Sequence, residues 1–296
     1  MVSAAMQTDR RLTLTEWGKW LPLAILPAGT IWLAMAWPPW QFMWALAFSL
    51  YTAFKWLSLA DYVQRQTLPP TARMLAFLLL WPGMDADAFF DTSGNVKNQP
   101  AILWLFASAK IAFGLVIFFA VAPRFLETHP LMAGWIAMIG IAFALHFGLL
   151  HLLALVWRAV GVNVAPIMQA PIMADSVTDF WSRRWNLAFR DLVHRFVFRP
   201  LARKRGLPTA TMAVFVVSGL IHDFVISLSG RGGYGLPSLY FLLQGGAMLL
   251  ERSRVGMRLG IRGGLAGRAM AAMIVVLPLG LLFPPPFVLR VVVPML

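Results

Sequence analysis

The chain has 296 residues, 59% hydrophobic and only 12% charged, about half the usual charged share of a soluble domain, which excludes an ordinary water-soluble protein and implies an integral membrane protein. It contains no cysteine, which rules out disulfides, a thiolate nucleophile and a cysteine-ligated metal. The formal charge of +13 does not imply nucleic acid as a partner: the arginines stand beside apolar runs, where they anchor topology and meet lipid phosphates, and no nucleic-acid-binding motif accompanies them.

The first twenty residues, MVSAAMQTDRRLTLTEWGKW, lack a short apolar core with a cleavage site, so they read as a cytoplasmic leader. A spanning helix needs about 20 mostly apolar residues. Segments 21–37, 42–59, 101–122, 131–156, 210–228, 236–250 and 270–283 approach that length. Pro38 and Pro39 close the first of them. Met74 to Trp81 is apolar but short, and reads as re-entrant or surface-lying. The tail 287–296, after three prolines, reads as a half-span or an interfacial piece. The expected fold is therefore all-α: a polytopic helical bundle of about seven or eight transmembrane helices plus an interfacial amphipathic helix. It forms one membrane domain over 1–296, with no internal repeat.

Loop charges alternate. Arg10, Arg11 and Lys19 precede the first span, and Arg65, Arg73 and Lys97 follow the second. Nine basic residues lie between Arg158 and Arg205, and Arg252, Arg254, Arg258, Arg262 and Arg268 follow the sixth span. The alternate loops hold little more than Arg124 and Arg231. With seven spans, all the rich loops fall on one side, and the positive-inside rule makes that side, with the N-terminus, cytoplasmic. In a bacterial source the membrane would be the inner one.

Ionisable groups at lipid depth are costly and mark cavities or the bundle interior. Lys55 and Lys110 have long stems and are expected to snorkel toward an interface. His146 and His151 lie about 140° apart around a helix, so they make a poor metal pair and read as hydrogen-bonded bundle residues. His222 lies within VFVVSGLIHDFVI, on one helix face with Ser218 and Gly219. Small residues there let a neighbouring helix or a substrate chain come close. Asp223 projects about 100° away and is no obvious partner for the imidazole. Spacing alone leaves two readings of His222 open: a functional group, or an imidazole satisfied by a backbone carbonyl. Asp85, Asp87 and Asp91 read as a solvated turn, with Gly94 and Asn95 at the bend, and not as a metal site.

Residues 178–186 read TDFWSRRWN. As a helix over 181–196, Trp181, Trp185, Ala188, Phe189, Leu192 and Phe196 fill one arc. Arg183, Asn186, Arg190 and His194 fill the other, the pattern of a helix lying in the membrane interface. Ser176 and Asp179 form a capping box at its start, and Pro200 marks its end. Asn186 adds little to anchoring, which leaves it to be explained.

The string Asp179-Phe180-Trp181-Ser182-Arg183-Arg184-Trp185-Asn186, followed one helix later by Ser218-Gly219-Leu220-Ile221-His222-Asp223, resembles the membrane-bound O-acyltransferases, specifically their wax-synthase-like branch. Trp81-Pro82-Gly83-Met84 is similar to a further element of that branch, and the resemblance spans roughly residues 75–290. Ser182 stands where glycine is common and Asp223 where glutamate is common. The resemblance implies transfer of an acyl group from a thioester, often acyl-CoA, to a hydroxyl acceptor inside a membrane tunnel. The acceptor would be a lipid or a small molecule, and no separate cofactor would be needed. It also implies His222 and Asn186 as the key residues.

The residue types suit that chemistry. A neutral imidazole takes an alcohol proton during attack, a help typically worth about 10²–10⁴-fold. A positioned amide such as Asn186 donates to the developing oxyanion. Without cysteine or a nucleophilic-serine elbow, direct transfer is simpler than an acyl-enzyme; Ser218 as nucleophile has no motif support. Arg183 or Arg184 is expected to contact donor phosphates, with lipid-phosphate anchoring as the competing role, and Trp181, Trp185 and Ser218 are expected to line the substrate site. A polytopic transporter and a non-catalytic membrane scaffold are the alternative functions, although the halves show no paired broken helices.

Overall fold

A computed structural model describes residues 17–91 and 99–296. Most of the expected leader, including Arg10 and Arg11, lies outside the described residues, as do Gly94, Asn95 and Lys97. The described residues are helical, with no strand among them. In chain order the helices are α1 (Leu21–Ala34), α2 (Pro39–Arg65), α3 (Thr71–Leu80), α4 (Ala86–Phe90), α5 (Ala101–Phe125) and α6 (Pro130–Ala159). They are followed by α7 (177–184), α8 (187–205), α9 (Leu207–Gly230), α10 (Leu236–Arg252), α11 (Arg254–Arg258), α12 (Gly264–Leu282) and α13 (Pro285–Met295).

Five of these, α2, α5, α6, α9 and α12, are long and apolar enough to cross a membrane. The other two expected spans fold as α1, with 14 residues, and α10, with 17. Only 17% of the apolar windows of α5 and α12 is buried, against 44% of that of α2. Helix α2 is thus an inner element, and the outer helices turn side chains such as Phe119 and Leu277 outward, as lipid-facing surfaces do. The chain is a multi-pass membrane protein. The apolar tail packs inward as α13, with Phe287, Val288, Val291 and Val292 buried.

Where two helices meet without a hydrophobic drive between them, small residues permit close backbone approach. A Cβ on Gly114 of α5 would stand 2.4 Å from the backbone nitrogen of Ala144 in α6. A Cβ on Gly219 of α9 would stand 2.9 Å from the Cα of Ser238 in α10. The small face beside His222 is therefore filled by a neighbouring helix. Asp223 closes the same contact: its carboxylate accepts from the Gly235 backbone N–H at 2.8 Å and from the Ser238 hydroxyl at 2.8 Å, capping α10 from another helix.

Lys55 does not snorkel. It is fully buried, its ammonium donates to the carbonyl of Gly83 at 2.6 Å, and it lies 3.1 Å from the centre of the Phe77 ring. The Tyr51 hydroxyl donates to the Trp81 carbonyl at 3.2 Å. Side chains of α2 thus clasp the Trp-Pro-Gly-Met loop by carbonyls that an extended loop leaves unpaired. Lys110 does not run to an interface either: its Nζ lies 3.3 Å from Nδ1 of His151 on α6. The other histidine of that helix, His146, stacks near Trp185, and its Nδ1 is buried without a partner among the described residues.

Of the acidic group, Asp85 and Asp91 are exposed, as a solvated turn would have them, but Asp87 is tied into an ion-pair network. Asp85 caps α4 by accepting from Ala88 N–H, and Asp87 joins Asp61, Arg65 and Arg195 in an alternating network of 2.8–3.1 Å contacts between α2, α4 and α8. Burial alone would raise the carboxyl of Asp87; hydrogen bonds from Arg65 and Arg195 overcome it and hold the group below the ordinary range. Charges sited for solubility would not converge this way.

Lys55→Ala leaves the Gly83 carbonyl unpaired and a cavity beside Phe77, an expected cost of about 3 kcal/mol. It should lower the midpoint of thermal unfolding in detergent, and Lys55→Met, which keeps the volume, should recover most of the loss. An unchanged midpoint for Lys55→Ala would show that the clasp carries no stability. Gly219→Val should cost about 1–3 kcal/mol by forcing α9 and α10 apart, read in the same melt.

Candidate active site

The segment 181–196 is not one helix. Helix α7 ends at Arg184, Trp185 is extended, and Asn186 takes a left-handed conformation at φ 43° and ψ 60° before α8 begins. Asparagine is among the few residues that tolerate that region, and its side-chain oxygen accepts from the Phe189 N–H at 3.2 Å, capping α8. The periodicity misled because the two helices on either side of this break carry compatible patterns. Pro200 does not end α8 either. The wide turn at His194–Phe198 opens the helical ladder before it, and the helix runs on to Arg205.

The start of α7 follows the expected box. Ser176 Oγ accepts from the Asp179 N–H at 3.0 Å, and Asp179 accepts from the Asp175 N–H at 3.2 Å. A third contact comes from afar: the carboxylate of Glu251, at the end of α10 and almost fully buried, accepts from the Thr178 N–H at 3.2 Å. The reversal at Asn186 rests on the extended segment before α7. Leu187 N–H donates to the Ile167 carbonyl at 3.0 Å, and Asn186 N–H points at the sulfur of Met168 at 3.2 Å.

Trp181 does not face the membrane interface. It enters the bundle, where its indole N–H donates to Gln244 Oε1 at 3.1 Å and its ring packs against Phe215 and Phe241. Gln244 is fully buried, and its amide nitrogen donates onward to the Ile274 carbonyl of α12 at 2.6 Å. Trp185 stacks on Phe180 at 5.5 Å and meets Phe147.

His222 is half-buried on α9, with its ring 4.4 Å from that of Phe241. Its Nδ1 lies 2.7 Å from the Ser218 carbonyl. A carbonyl only accepts, so the proton sits on Nδ1 and, in the neutral ring, the lone pair sits on Nε2. Nε2 makes no hydrogen bond with another described residue. The carbonyl-satisfied imidazole and the available base are thus one arrangement. The Ser218 hydroxyl donates to the Val214 carbonyl at 2.7 Å, along its own helix. No hydrogen bond joins Asn186 to His222; the rings of Phe241, Trp181, Phe180 and Trp185 pack in succession from His222 to the residue before Asn186.

The two arginines of the motif part company. Arg184 is paired with Asp179 and donates to the Ala170 carbonyl at 3.2 Å. Burial opposes the charge on Asp179, but hydrogen bonds from Arg184 and from the backbone of Asp175 keep that carboxyl below its usual range. Arg183 is exposed and makes no hydrogen bond or ion pair among the described residues. Both line a cleft of about 540 Å³ between the start of α7 and the loop after α10. Gln244 and Glu251 escaped sequence reasoning, although a lone amide in the apolar run LYFLLQGGAMLL was a signal of the kind that marked His222.

Residues 164–243, which hold both motifs, match the family described as membrane bound O-acyl transferase. The chain is 29% identical over 167 residues to a probable long-chain-alcohol O-fatty-acyltransferase of Arabidopsis thaliana, covering 53% of this chain and 48% of that protein. It is 25% identical to the long-chain-alcohol O-fatty-acyltransferase of Simmondsia chinensis, over 45% of this chain and 41% of that one. It is 30% identical to an acyl-CoA–sterol O-acyltransferase of Arabidopsis thaliana, over 36% and 33%. The chain therefore spans about half the length of the relatives it matches, or less. These matches are centred on the two motifs, and they make that segment similar to membrane-bound O-acyltransferases, among them proteins named for long-chain-alcohol O-fatty-acyl transfer.

Proposed function

We propose that this protein is a membrane-embedded O-acyltransferase that moves an acyl group from a thioester donor, acyl-CoA by preference, to a hydroxyl acceptor of the long-chain-alcohol class. His222 is its general base and Asn186 assists. The arginine-rich loops face the cytoplasm, so a soluble donor arrives from that side. The observation that supports this reading is the Nδ1–Ser218 carbonyl bond, which leaves Nε2 as the lone-pair nitrogen of a ring fixed in orientation. In the proposed step the acceptor oxygen attacks the thioester carbonyl while its proton passes to Nε2. The carbon–sulfur bond then breaks, and the proton goes to the departing thiolate. Ser218, its hydroxyl turned to its own helix, serves by holding the imidazole through its carbonyl and not as a nucleophile. Trp181 and Trp185 shape the wall between the two motifs.

Conversion of labelled acyl-CoA and a long-chain alcohol to ester by the purified protein tests this directly. His222→Ala should lower the rate by about 10²–10⁴-fold with the protein still folded; a wild-type rate would remove His222 from the chemistry. Ester formation by neither protein would favour a transporter or a scaffold.

Asn186 invites a second reading, because its left-handed backbone and its cap alone would account for asparagine there. Asn186→Gly separates the two, since glycine keeps the turn and lacks the amide. If the amide assists, Asn186→Gly loses about 10²-fold in kcat, as Asn186→Ala does. Activity near wild type in the glycine variant would assign the residue to the turn alone.

A further inference from the structure

The cleft between α7, the end of α10 and the loop at Arg262 holds four guanidiniums, those of Arg183, Arg184, Arg252 and Arg262. Two of them are committed to the fold. Arg184 is tied to Asp179 and Ala170, and Arg262 donates to the carbonyls of Glu251 and Arg252. The three carboxylates of the cleft are committed as well: Asp179 to Arg184, Asp175 to Arg268 at 2.7 Å, and Glu251 to the Thr178 N–H. Arg183 and Arg252 are left over. Both are exposed, and neither guanidinium makes a hydrogen bond or ion pair among the described residues. They come from distant parts of the chain, one from the motif helix and one from the end of α10, and the fold brings them to the same opening.

Two unanswered guanidiniums beside fixed, already neutralised neighbours make an anion site, and the planar fork of arginine suits phosphate oxygens. The volume of about 540 Å³ is that of a small-molecule site rather than of a single ion. Helix α7 turns Thr178, Asp179, Arg183 and Arg184 to the cleft and Trp181 into the bundle, so a long ligand held by phosphate at the opening would lead past the motif helix toward the bundle.

We infer that this cleft binds the phosphate groups of the thioester donor, with Arg183 and Arg252 as the direct contacts and Arg184 and Arg262 as its walls. The inference rests on the acyl-transfer reading, and it assigns to Arg252 a role that neither motif contains. Phosphate is also the chemistry of lipid headgroups, so the test must separate the two sources.

Binding of free coenzyme A to the full chain in nanodiscs of zwitterionic lipid does so without any turnover. Arg183→Gln and Arg252→Gln should each weaken it about tenfold, the value of one charge-assisted hydrogen bond, and the double variant by more. Arg205→Gln, an exposed arginine away from the cleft, should leave binding unchanged. Equal affinity in wild type and double variant overturns the inference. So does an absence of coenzyme A binding to the wild type combined with a dependence of association with anionic nanodisc lipid on Arg183 and Arg252, which would make the cleft a headgroup site. Because binding needs no catalysis, loss of the His222 assignment would leave this result standing, and the reverse holds too.

Discussion

The close approach of α9 and α10 is the constraint on which the rest of the site depends. A side chain at Gly219 would strike the backbone of Ser238, and only with the helices this near does the carboxylate of Asp223 reach the first turn of α10. Helix α10 then serves as a strut. Its first turn is held by the residue next to His222, its middle presents Phe241 to the imidazole and Gln244 to Trp181, and its end offers Glu251 to the start of α7. Two motifs on α7 and α9, with α8 between them in sequence, are thereby held at fixed spacing by a third element that belongs to neither. At lipid depth such polar contacts have no water to exchange with, so they specify one arrangement more strictly than apolar packing does.

Much of the fold was legible because lipid imposes a simple code. The apolar runs at 101–122, 131–156 and 210–228 become α5, α6 and α9, each a few residues longer at its ends. Lys55 departs from expectation because a polar side chain can be satisfied by a distant backbone carbonyl that sequence spacing does not reveal, here that of Gly83. Gln244 finds the Ile274 carbonyl in the same way. Snorkelling is the expectation for a lysine only when nothing inside the bundle accepts its proton. The two motifs were readable as strings, but Asn186 as a left-handed turn was not, since periodicity has no term for a single residue that reverses the chain.

On the acyl-transfer reading, conformational and chemical demands meet at Asn186. Its backbone needs a residue at ease with positive φ, and its side chain caps α8 through the oxygen, which leaves the amide nitrogen free to donate elsewhere. Glycine would satisfy the turn, aspartate the cap, and only asparagine adds a neutral donor. A neutral donor is what a developing oxyanion requires in an apolar chamber, where a second negative charge would oppose it.

The same economy of charge runs along α7. On the side facing the cleft, arginines and carboxylates neutralise one another and leave a cationic surplus; along its inner face indole and phenyl rings pack between it and His222. A soluble, polyanionic carrier and an apolar acyl chain make opposite demands on their surroundings, and a thioester joins the two in one molecule. A helix that is charged along the side facing the cleft and aromatic along its inner face meets both demands at once. On the acyl-transfer reading, the bond to be broken lies where the two environments meet. That placement favours direct transfer: the leaving thiolate departs toward the charged opening while the new ester, lacking any charge, stays on the lipid side, so the products separate by polarity alone.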